Sequence, residues 1–522
     1  MKKSAAIVIL FASIISFSNL FADETKGIHQ LWPYNNKRFL IGYGVDSYFQ
    51  YFPNNSLISQ GIAAPNSDKN INLENYSQIV RESMIQFSLG TSYPESFKLK
   101  TQPQIVLTPQ KEKNYSKSAL QITTINMTVW MFNKYIMAED WADISMESIW
   151  RNLQSGFAWD VDTFRTNQLG HPYHGAIHYS VARANGLSFL ESTLYSALGS
   201  ITWELLFESI QPSANDVIMN TLGGITLGEV LYRTADLIID ESSSGLERAL
   251  RETLAFFVNP AYGFRFFSGD SFKSGYPAQK RFYSLKFPFG ARSSTTDGPL
   301  FLIAANLEYQ DYLRTNLPKI EPYEWFSLHL RLGFQDYGLS DQEIFSTGIL
   351  TGRKVNNGLA GLFGVFDYMN SQIYNKMSAI GVGPGLVTLS DFDADYYFSS
   401  SGVLTVILGG SSPSIDSSNG HFGQKTNDPY YFGPGMMGRV KFEFGKRGLG
   451  SIHTGYSQYW VHSIYTSANE YLGILSLNIN YDISLRSEIS LGYDYYLRHA
   501  SLQNERFTGT TPSVRALYIF KF

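Results

Sequence analysis

The second half of the chain repeats with a period of two. Phe326, Leu328, Leu330, Leu332 and Phe334 alternate with Ser327, His329, Arg331 and Gly333. Val440, Phe442 and Phe444 alternate with Arg439, Lys441 and Glu443, and Leu475, Leu477, Ile479, Tyr481 and Ile483 with Ser476, Asn478, Asn480 and Asp482. Ile489, Leu491, Tyr493, Tyr495 and Leu497 follow the same rule. Neighbouring side chains on a strand point to opposite faces, so each segment is a strand with one apolar face and one polar face. A soluble sandwich alternates in the same way. Segments about ten residues long, aromatic residues near their ends, and a chain that stops on a strand favour a membrane barrel. About twelve such segments fit between Arg281 and Phe522, an even number suited to closure.

Upstream the period is that of a helix. Thr128–Met137 and Ile144–Gln154 carry apolar residues at mixed three-and-four spacing, and Ser155-Gly156 is a natural stop. Gly186 ends the next helix. Ser188 and Glu191 form a capping box that starts another, running to about Ile210 before Pro212. Ser213 and Asp216 repeat the capping pattern for a helix to about Asp240. That helix holds Gly223, Gly224 and Gly228, each costing a helix about 1 kcal/mol against alanine, so close approach of another backbone is expected there. The pattern predicts a packed bundle from Ser118 to about Asn259, with the change of period after Asn259-Pro260.

The N-terminus reads as an export signal: Lys2 and Lys3 precede an apolar run from Ala5 to about Phe17, with cleavage expected after Ala22. No later run offers about 20 apolar residues, so no transmembrane helix is expected, which leaves a barrel as the way to span a membrane. Residues 23–115 form an irregular region, with an Asn- and Ser-rich loop at Pro53–Asn75 and an extended linker at Lys98–Lys117. The sequence is thus α+β: a signal peptide over 1–22, the irregular region over 23–115, a helical module over 116–270, and an antiparallel transmembrane β-barrel of about 12 strands over 275–522. The module is expected to plug or cap the barrel. The polar strand faces carry both signs of charge (Arg331, Lys441, Glu443, Asp494), which suits contact with a polar module.

Composition narrows the partners. A net charge of −4 gives no case for nucleic acid. The absence of cysteine excludes disulfides, thiol catalysis and cysteine-based metal sites. Tyr 34 and Phe 37 among 44 glycines suit strands that meet a bilayer. Outer-membrane lipid is therefore an expected partner. The last strand, SVRALYIFKF, sets Tyr518, Phe520 and Phe522 on one face, and resembles the terminal signal read by the barrel-assembly machinery of diderm bacteria.

Candidate chemistry gathers between Gly156 and Gly186, where Asp160, Asp162, Asn167, His171, His174, His178 and Arg183 stand among apolar residues. Ionisable groups in such a setting must be paired, at several kcal/mol roughly if left bare. His174 and His178 share a helical face, as do Glu204 and Glu208, and a metal held by His174, His178 and Glu204 competes with a buried network neutralised by Arg183 or Arg233. H-E-x-x-H is absent, and the network is preferred: no metal or cofactor is expected. Ser180, Ser192 or Ser196 with His174 and Asp160 or Asp162 would make a hydrolase, without the G-x-S-x-G elbow to support it. Glu191 and Asp216 are assigned to capping. Glu229, Arg233 and Asp236 read as a salt-bridge ladder. The glycine- and proline-rich runs Gly381–Gly385 and Gly433–Gly435 lack a P-loop lysine.

Trp130 to Arg265 resembles a bacterial envelope family, domain of unknown function 3943. The resemblance rests on Trp159-Asp160-x-Asp162-x-Phe164, Asn167, His171-Pro-Tyr-His174-Gly175, Ala182-Arg183-x-x-Gly186, Trp203-Glu204, Pro212-Ser213-x-x-Asp216, Gly223-Gly224, Gly228-Glu229, Tyr232-Arg233 and Asn259-Pro260. It sharpens which residues matter and implies no reaction. The expectation is an outer-membrane barrel in a non-catalytic envelope or transport-related role, with a membrane-embedded hydrolase of envelope lipid or glycan as the alternative. The candidate catalytic cluster is His174, Asp160, Asp162, Arg183, Asn167 and His171, with His174 as base and Asp160 or Asp162 orienting it in the hydrolase, and Glu204, Glu208, Glu229 and Arg233 are candidate binding groups; in the non-catalytic reading the same motif is a structural plug.

Overall fold

The computed structural model describes residues 112–261 and 283–522, less 311–318, 414–429 and a few single positions. The expected signal segment 1–22 and the N-terminal region as far as residue 111 lie outside them. The helices are α1 (Tyr115–Phe132, continued by a π-turn over Asn133–Met137), α2 (Met146–Ser155), α3 (His171–Ala184, entered from a π-turn over Thr166–Gly170) and α4 (Phe189–Leu206). Then come α5 (Ala214–Gly223), a π-turn over Gly224–Gly228, α6 (Glu229–Ile238) and α7 (Gly245–Val258).

Local signals explain most of these boundaries. The capping box of α4 is complete: Ser188 Oγ accepts from the Glu191 N–H, and Glu191 accepts from the Ser188 N–H at 2.7 Å. Asn114 caps α1 through the Lys117 N–H, so the helix starts at Tyr115, inside the expected linker. Helix α4 stops at Leu206, earlier than Ile210, and Glu208 accepts from the Trp203 indole at 2.6 Å across the turn. The glycines serve close approach as expected. A Cβ on Gly223 would lie 2.2 Å from Pro172 Cα, and one on Gly175 would lie 1.8 Å from the Asn220 carbonyl oxygen. Helices α3 and α5 therefore cross backbone against backbone.

The barrel strands are β1 (Tyr283–Ser294), β2 (Leu300–Gln310), β3 (Trp325–Gln335), β4 (Gly338–Val355), β5 (Gly358–Ser371) and β6 (Asn375–Asp391). They continue as β7 (Tyr396–Pro413), β8 (Tyr430–Lys446), β9 (Gly450–His462), β10 (Asn469–Ser484), β11 (Ser487–Leu502) and β12 (Glu505–Lys521). Each pairs antiparallel with the next, and β1 pairs with β12, closing a 12-strand barrel. Closure leaves no strand edge unpaired, the condition for sheet in hydrocarbon.

Which face is which follows from the contacts across the barrel. Arg439 on β8 meets Asp367 on β5 at 2.5 Å, and the Tyr459 hydroxyl donates to the same carboxylate at 2.9 Å. Arg292 on β1 pairs with Asp341 on β4. Around them Trp325, Phe363, Val365, Met377, Ile407 and Tyr459 form one apolar cluster. These residues face the lumen, beside a cavity of about 440 Å³ lined by Lys286, Glu308, Arg331, Glu343 and Lys441 among others. The alternate residues face out, and many are bare: Leu475 is 45% exposed, Ile479 54% and Leu491 60%. The barrel thus has the apolar-outside polarity expected from the sequence, the reverse of a soluble sandwich.

The helical module lies on the outer wall. Phe366, Tyr368, Ile380, Tyr430 and Phe432 pack against Phe164, Leu169, Met219 and Leu227. Leu307, Tyr309, Phe326 and Leu328 pack against Val230 and Phe189. All of these strand residues alternate with lumen-facing ones such as Asp367, Ala379, Glu308 and Ser327. The position differs from the plug or cap expected from the mixed charges on the polar strand faces. The physical reason is that those charges neutralise one another: Arg331 pairs with Glu343, Arg515 with Asp494, Lys521 with Asp482.

Candidate functional site

The site is assembled where the loop after α2 meets the start of α5. Beyond Gly156, whose φ of +68° ends α2, Ala158 forms an isolated parallel bridge with Ser213. Ala158 N donates to the Pro212 carbonyl at 2.9 Å, and Ala214 N to the Ala158 carbonyl at 2.7 Å. That short ladder sets residues 160–162 beside α5. Asn215 clasps the loop: it accepts from the Asp160 N–H at 3.0 Å and donates to the Asp160 carboxylate at 2.5 Å.

His171, the first residue of α3, faces two carboxylates. Its Nε2 lies 3.2 Å from Asp162 Oδ2 and 3.3 Å from Asp216 Oδ1. One Asp162, one His171 and one Asp216 atom all lie within 4.8 Å of one another, a spacing compatible with a shared metal ion. Asp216 and His171 are buried, and Asp162, 39% exposed at its side chain, is the exposed side of the group. Glu204 enters from α4. One of its oxygens accepts the Ser213 N–H at 2.8 Å, and the other, Oε1, is buried with no hydrogen-bond partner.

The electrostatics are those of excess acid. Burial, then the charge of Glu208, pushes the Glu204 carboxyl well above the carboxylate range, against the Ser213 N–H that pulls it down. Burial and the charges of Asp160, Glu204, Asp162 and Glu208 push Asp216 up in the same way. Burial raises Glu208 to about 8, opposed by the Trp203 hydrogen bond. Asp160 is raised by burial and by Asp162. Burial alone would lower His171, but the Asp162 hydrogen bond and the charges of Asp162, Asp160 and Glu208 carry it above its ordinary value. Groups with such shifts in one cluster are what functional sites contain, although structural networks produce them too.

The structure separates the residues singled out from the sequence. Asp160, Asp162, His171, Glu204 and Glu208 come together. His174 and His178 do not join them as ligands: both Nε2 atoms point at Asn126 Oδ1, at 3.2 and 2.8 Å, and burial lowers both imidazoles, His178 to about 3. Arg183 and Arg233, expected to neutralise Glu204 and Glu208, bind Glu229 instead, at 2.7 and 2.9 Å, and the Tyr179 hydroxyl donates to it at 2.7 Å. Both arginines hold the Glu229 carboxyl down to about 2 against its burial. Asn167 lies elsewhere again, donating to the Tyr430 hydroxyl at 2.9 Å and tying the module to the barrel wall. The serine arrangement is not assembled around His174: Ser196 donates to the Gly175 carbonyl at 2.8 Å and Ser180 to the Gly228 carbonyl at 3.2 Å.

Asp216 was missed. Its spacing from Ser213 assigns it to a capping box, and Ser213 Oγ does accept the Asp216 N–H at 3.2 Å. The reciprocal half is taken by Glu204, which claims the Ser213 N–H and leaves the Asp216 carboxylate to His171. The sequence signal available was the neighbouring Asn215, a buried amide that donates to both Asp160 and Asp216.

The barrel is similar in fold to solved porins and channels. The NanC porin is 11% identical, with a TM-score of 0.27 over 46% of this chain and 100% of its own. The KdgM porin in complex with disordered oligogalacturonate is 8% identical, with a TM-score of 0.21 over 46% and 99%. An outer membrane channel from Pseudomonas putida F1 is 10% identical, with a TM-score of 0.25 over 46% and 94%. No curated protein matches the chain. Residues 156–261, which supply every acid and histidine of these clusters, match the model of a domain of unknown function, DUF3943.

Proposed function

We propose that this is an outer-membrane protein that works through its helical module, with the barrel as a filled scaffold rather than a transport pore. The observation that carries this reading is the placement of the two polar systems. The lumen is occupied by its own ion pairs and apolar cluster, and the acid–histidine cluster sits in the module outside the wall. Outer-membrane lipid is the proposed surrounding of both parts. The module's own surface supports this, since α4 exposes Leu190, Leu194 and Leu198 at four-residue spacing, and α7 exposes Leu246, Leu250 and Leu254. Apolar stripes of that extent on a water-facing bundle would drive aggregation. Among the described residues no helix is long and apolar enough to cross a membrane. The module packs on the barrel wall through Phe164, Leu169, Met219, Leu227 and Val230. The strand ending in Phe522 is the proposed handle for the barrel-assembly machinery.

Two measurements test the reading. Purified protein in planar lipid bilayers is expected to give no stable porin-type conductance, and a sustained open current from the wild type overturns the filled scaffold. The chain has no cysteine, so Leu194→Cys carries a single fluorophore. Lipid-borne quenchers are expected to quench it as strongly as a probe at Leu477→Cys on the barrel wall, and a water-like response overturns the membrane placement of the module.

A second reading, hydrolysis of an envelope lipid or glycan, is favoured by His171 held between Asp162 and Asp216. A base within hydrogen-bond reach of an orienting carboxylate can take a proton from water. The base would be His171 and not His174. Release of product from outer-membrane lipid or glycan by the wild type, lost in His171→Asn, is the expected result; equal release by the variant removes the reading.

A further inference from the structure

We infer that Asp162, His171 and Asp216 form the ligand set for one divalent transition-metal ion, with Glu204 beside it. The inference goes beyond the scaffold reading and does not depend on the lumen being filled. Its first support is geometry. Zinc binds imidazole nitrogen and carboxylate oxygen at about 2.0–2.2 Å, which places neighbouring ligand atoms roughly 3–3.5 Å apart around the ion. His171 Nε2 lies 3.2 Å from Asp162 Oδ2 and 3.3 Å from Asp216 Oδ1, so one ion can be reached by all three with small side-chain movements.

The second support is independent of that triangle. Glu204 is fully buried, its Oε2 is committed to the Ser213 N–H, and its Oε1 has no partner. Ser213 joins it to the triangle: its N–H donates to Glu204 at 2.8 Å and its Oγ accepts the Asp216 N–H at 3.2 Å, so the Glu204 carboxylate lies beside the turn that carries Asp216. A buried carboxylate oxygen without a partner is costly, and a metal ion or its bound water relieves that cost. The basic side chain held among Asp160, Asp162, Glu204, Glu208 and Asp216 is His171, so a dication also brings the local charge towards balance.

The site is placed by what surrounds it. Asn215 donates to both Asp160 and Asp216, so the amide holds the Asp216 carboxylate in the orientation in which it would bind the ion. One nitrogen with two carboxylate oxygens suits a borderline cation, Zn²⁺ or Mn²⁺, better than Ca²⁺, which is held by oxygen alone. Three protein ligands leave positions for water, and the exposed side of Asp162 gives access to them.

Protein extracted from membranes in chelator-free detergent buffer tests the inference by elemental analysis. Samples stripped with a chelator are then titrated with Zn²⁺, Mn²⁺ and Ca²⁺. The expected result is saturable binding of about one Zn²⁺ or Mn²⁺ per chain, with Ca²⁺ much weaker. Asp216→Asn and His171→Gln are expected to weaken binding by roughly a hundredfold or more. Arg248→Ala, a change on the exposed face of α7, keeps wild-type affinity. The wild-type titration alone decides the matter if either variant fails to assemble: absence of saturable Zn²⁺ or Mn²⁺ binding overturns the site. Equal affinity in correctly assembled Asp216→Asn and His171→Gln overturns the ligand assignment.

Discussion

The helical module holds two buried acidic centres, and they are built on opposite plans. At Glu229 one carboxylate meets two guanidinium groups and a tyrosine hydroxyl, so every oxygen has a donor. At Asp162, His171 and Asp216 several carboxylates crowd one imidazole, and a Glu204 oxygen stays without a donor. His171, Asp216 and Glu204 are as deeply buried as Glu229, so burial alone does not separate the centres. Charge balance does. The first centre is complete within the chain and behaves as a structural joint between α3 and α6. The second is incomplete, and incompleteness in a buried polar network is what a ligand site looks like before its ligand is counted.

Glu229→Gln gives the sharpest break in this contrast and the largest effect. It leaves Arg183 and Arg233 facing each other across a neutral amide in a buried setting, and removing one partner of a buried pair costs about 3–5 kcal/mol. Thermal unfolding of the detergent-solubilised protein should show the loss, while the barrel still shows its heat-modifiable migration. The pH dependence has a defined sign. Glu229 is depressed to about 2 from 4.5, so its stabilisation is present above pH 4.5 and is lost as pH falls towards 2. A variant as stable as the wild type would show that the arginines do not need the carboxylate.

The acid-rich centre should respond to pH in the opposite direction. Glu208 is raised from 4.5 to about 8, so its folded form holds a proton that the unfolded chain has released. Stability that it supports is therefore full below pH 4.5 and falls as pH rises towards 8, by about 1.4 kcal/mol per pH unit for one proton. In chelator, the unfolding midpoint of the wild type should decline over that window, and Glu208→Gln should flatten the decline, because the amide oxygen still accepts from Trp203. A wild-type profile that is flat between pH 5 and 8 in chelator would show that these acids do not share protons as the geometry implies.

The contrast also marks what could be seen in the sequence. The barrel was legible because its signal is local: a period of two over each strand, with Leu475, Ile479 and Leu491 turned outward where the alternation puts them. The glycines of α5 and its π-turn were legible for the same reason, since a costly residue in a helix implies a close neighbour, here Pro172 for Gly223. The position of the module was not, because charge on a strand face does not say whether its partner is another strand or another domain. Arg439 could have met the module; it meets Asp367 across the lumen. Within the site, Asp160, Asp162 and His171 were found from their polar character in an apolar stretch. Asp216 was hidden by a local explanation, capping, that competed with a long-range one. Which glutamate Arg183 would choose depended on helix packing and not on spacing along the chain.

The smallest effect is expected at the residue that looked most catalytic. His174 sits one helical turn from His178 and next to the acidic centre in sequence, yet Asn126 Oδ1 is the acceptor that both imidazoles share. A carbonyl oxygen with two lone pairs can serve both rings, and burial keeps the imidazoles neutral. A glutamine at 174 offers an N–H to the same oxygen. His174→Gln should therefore cost roughly 1 kcal/mol, the net value of one hydrogen bond imperfectly replaced. Zn²⁺ affinity should be unchanged, because the ring is not a ligand in the arrangement drawn from His171. A variant that folds normally but no longer binds the ion would move the metal centre one turn along α3 and undo the separation between the complete and incomplete halves of the module.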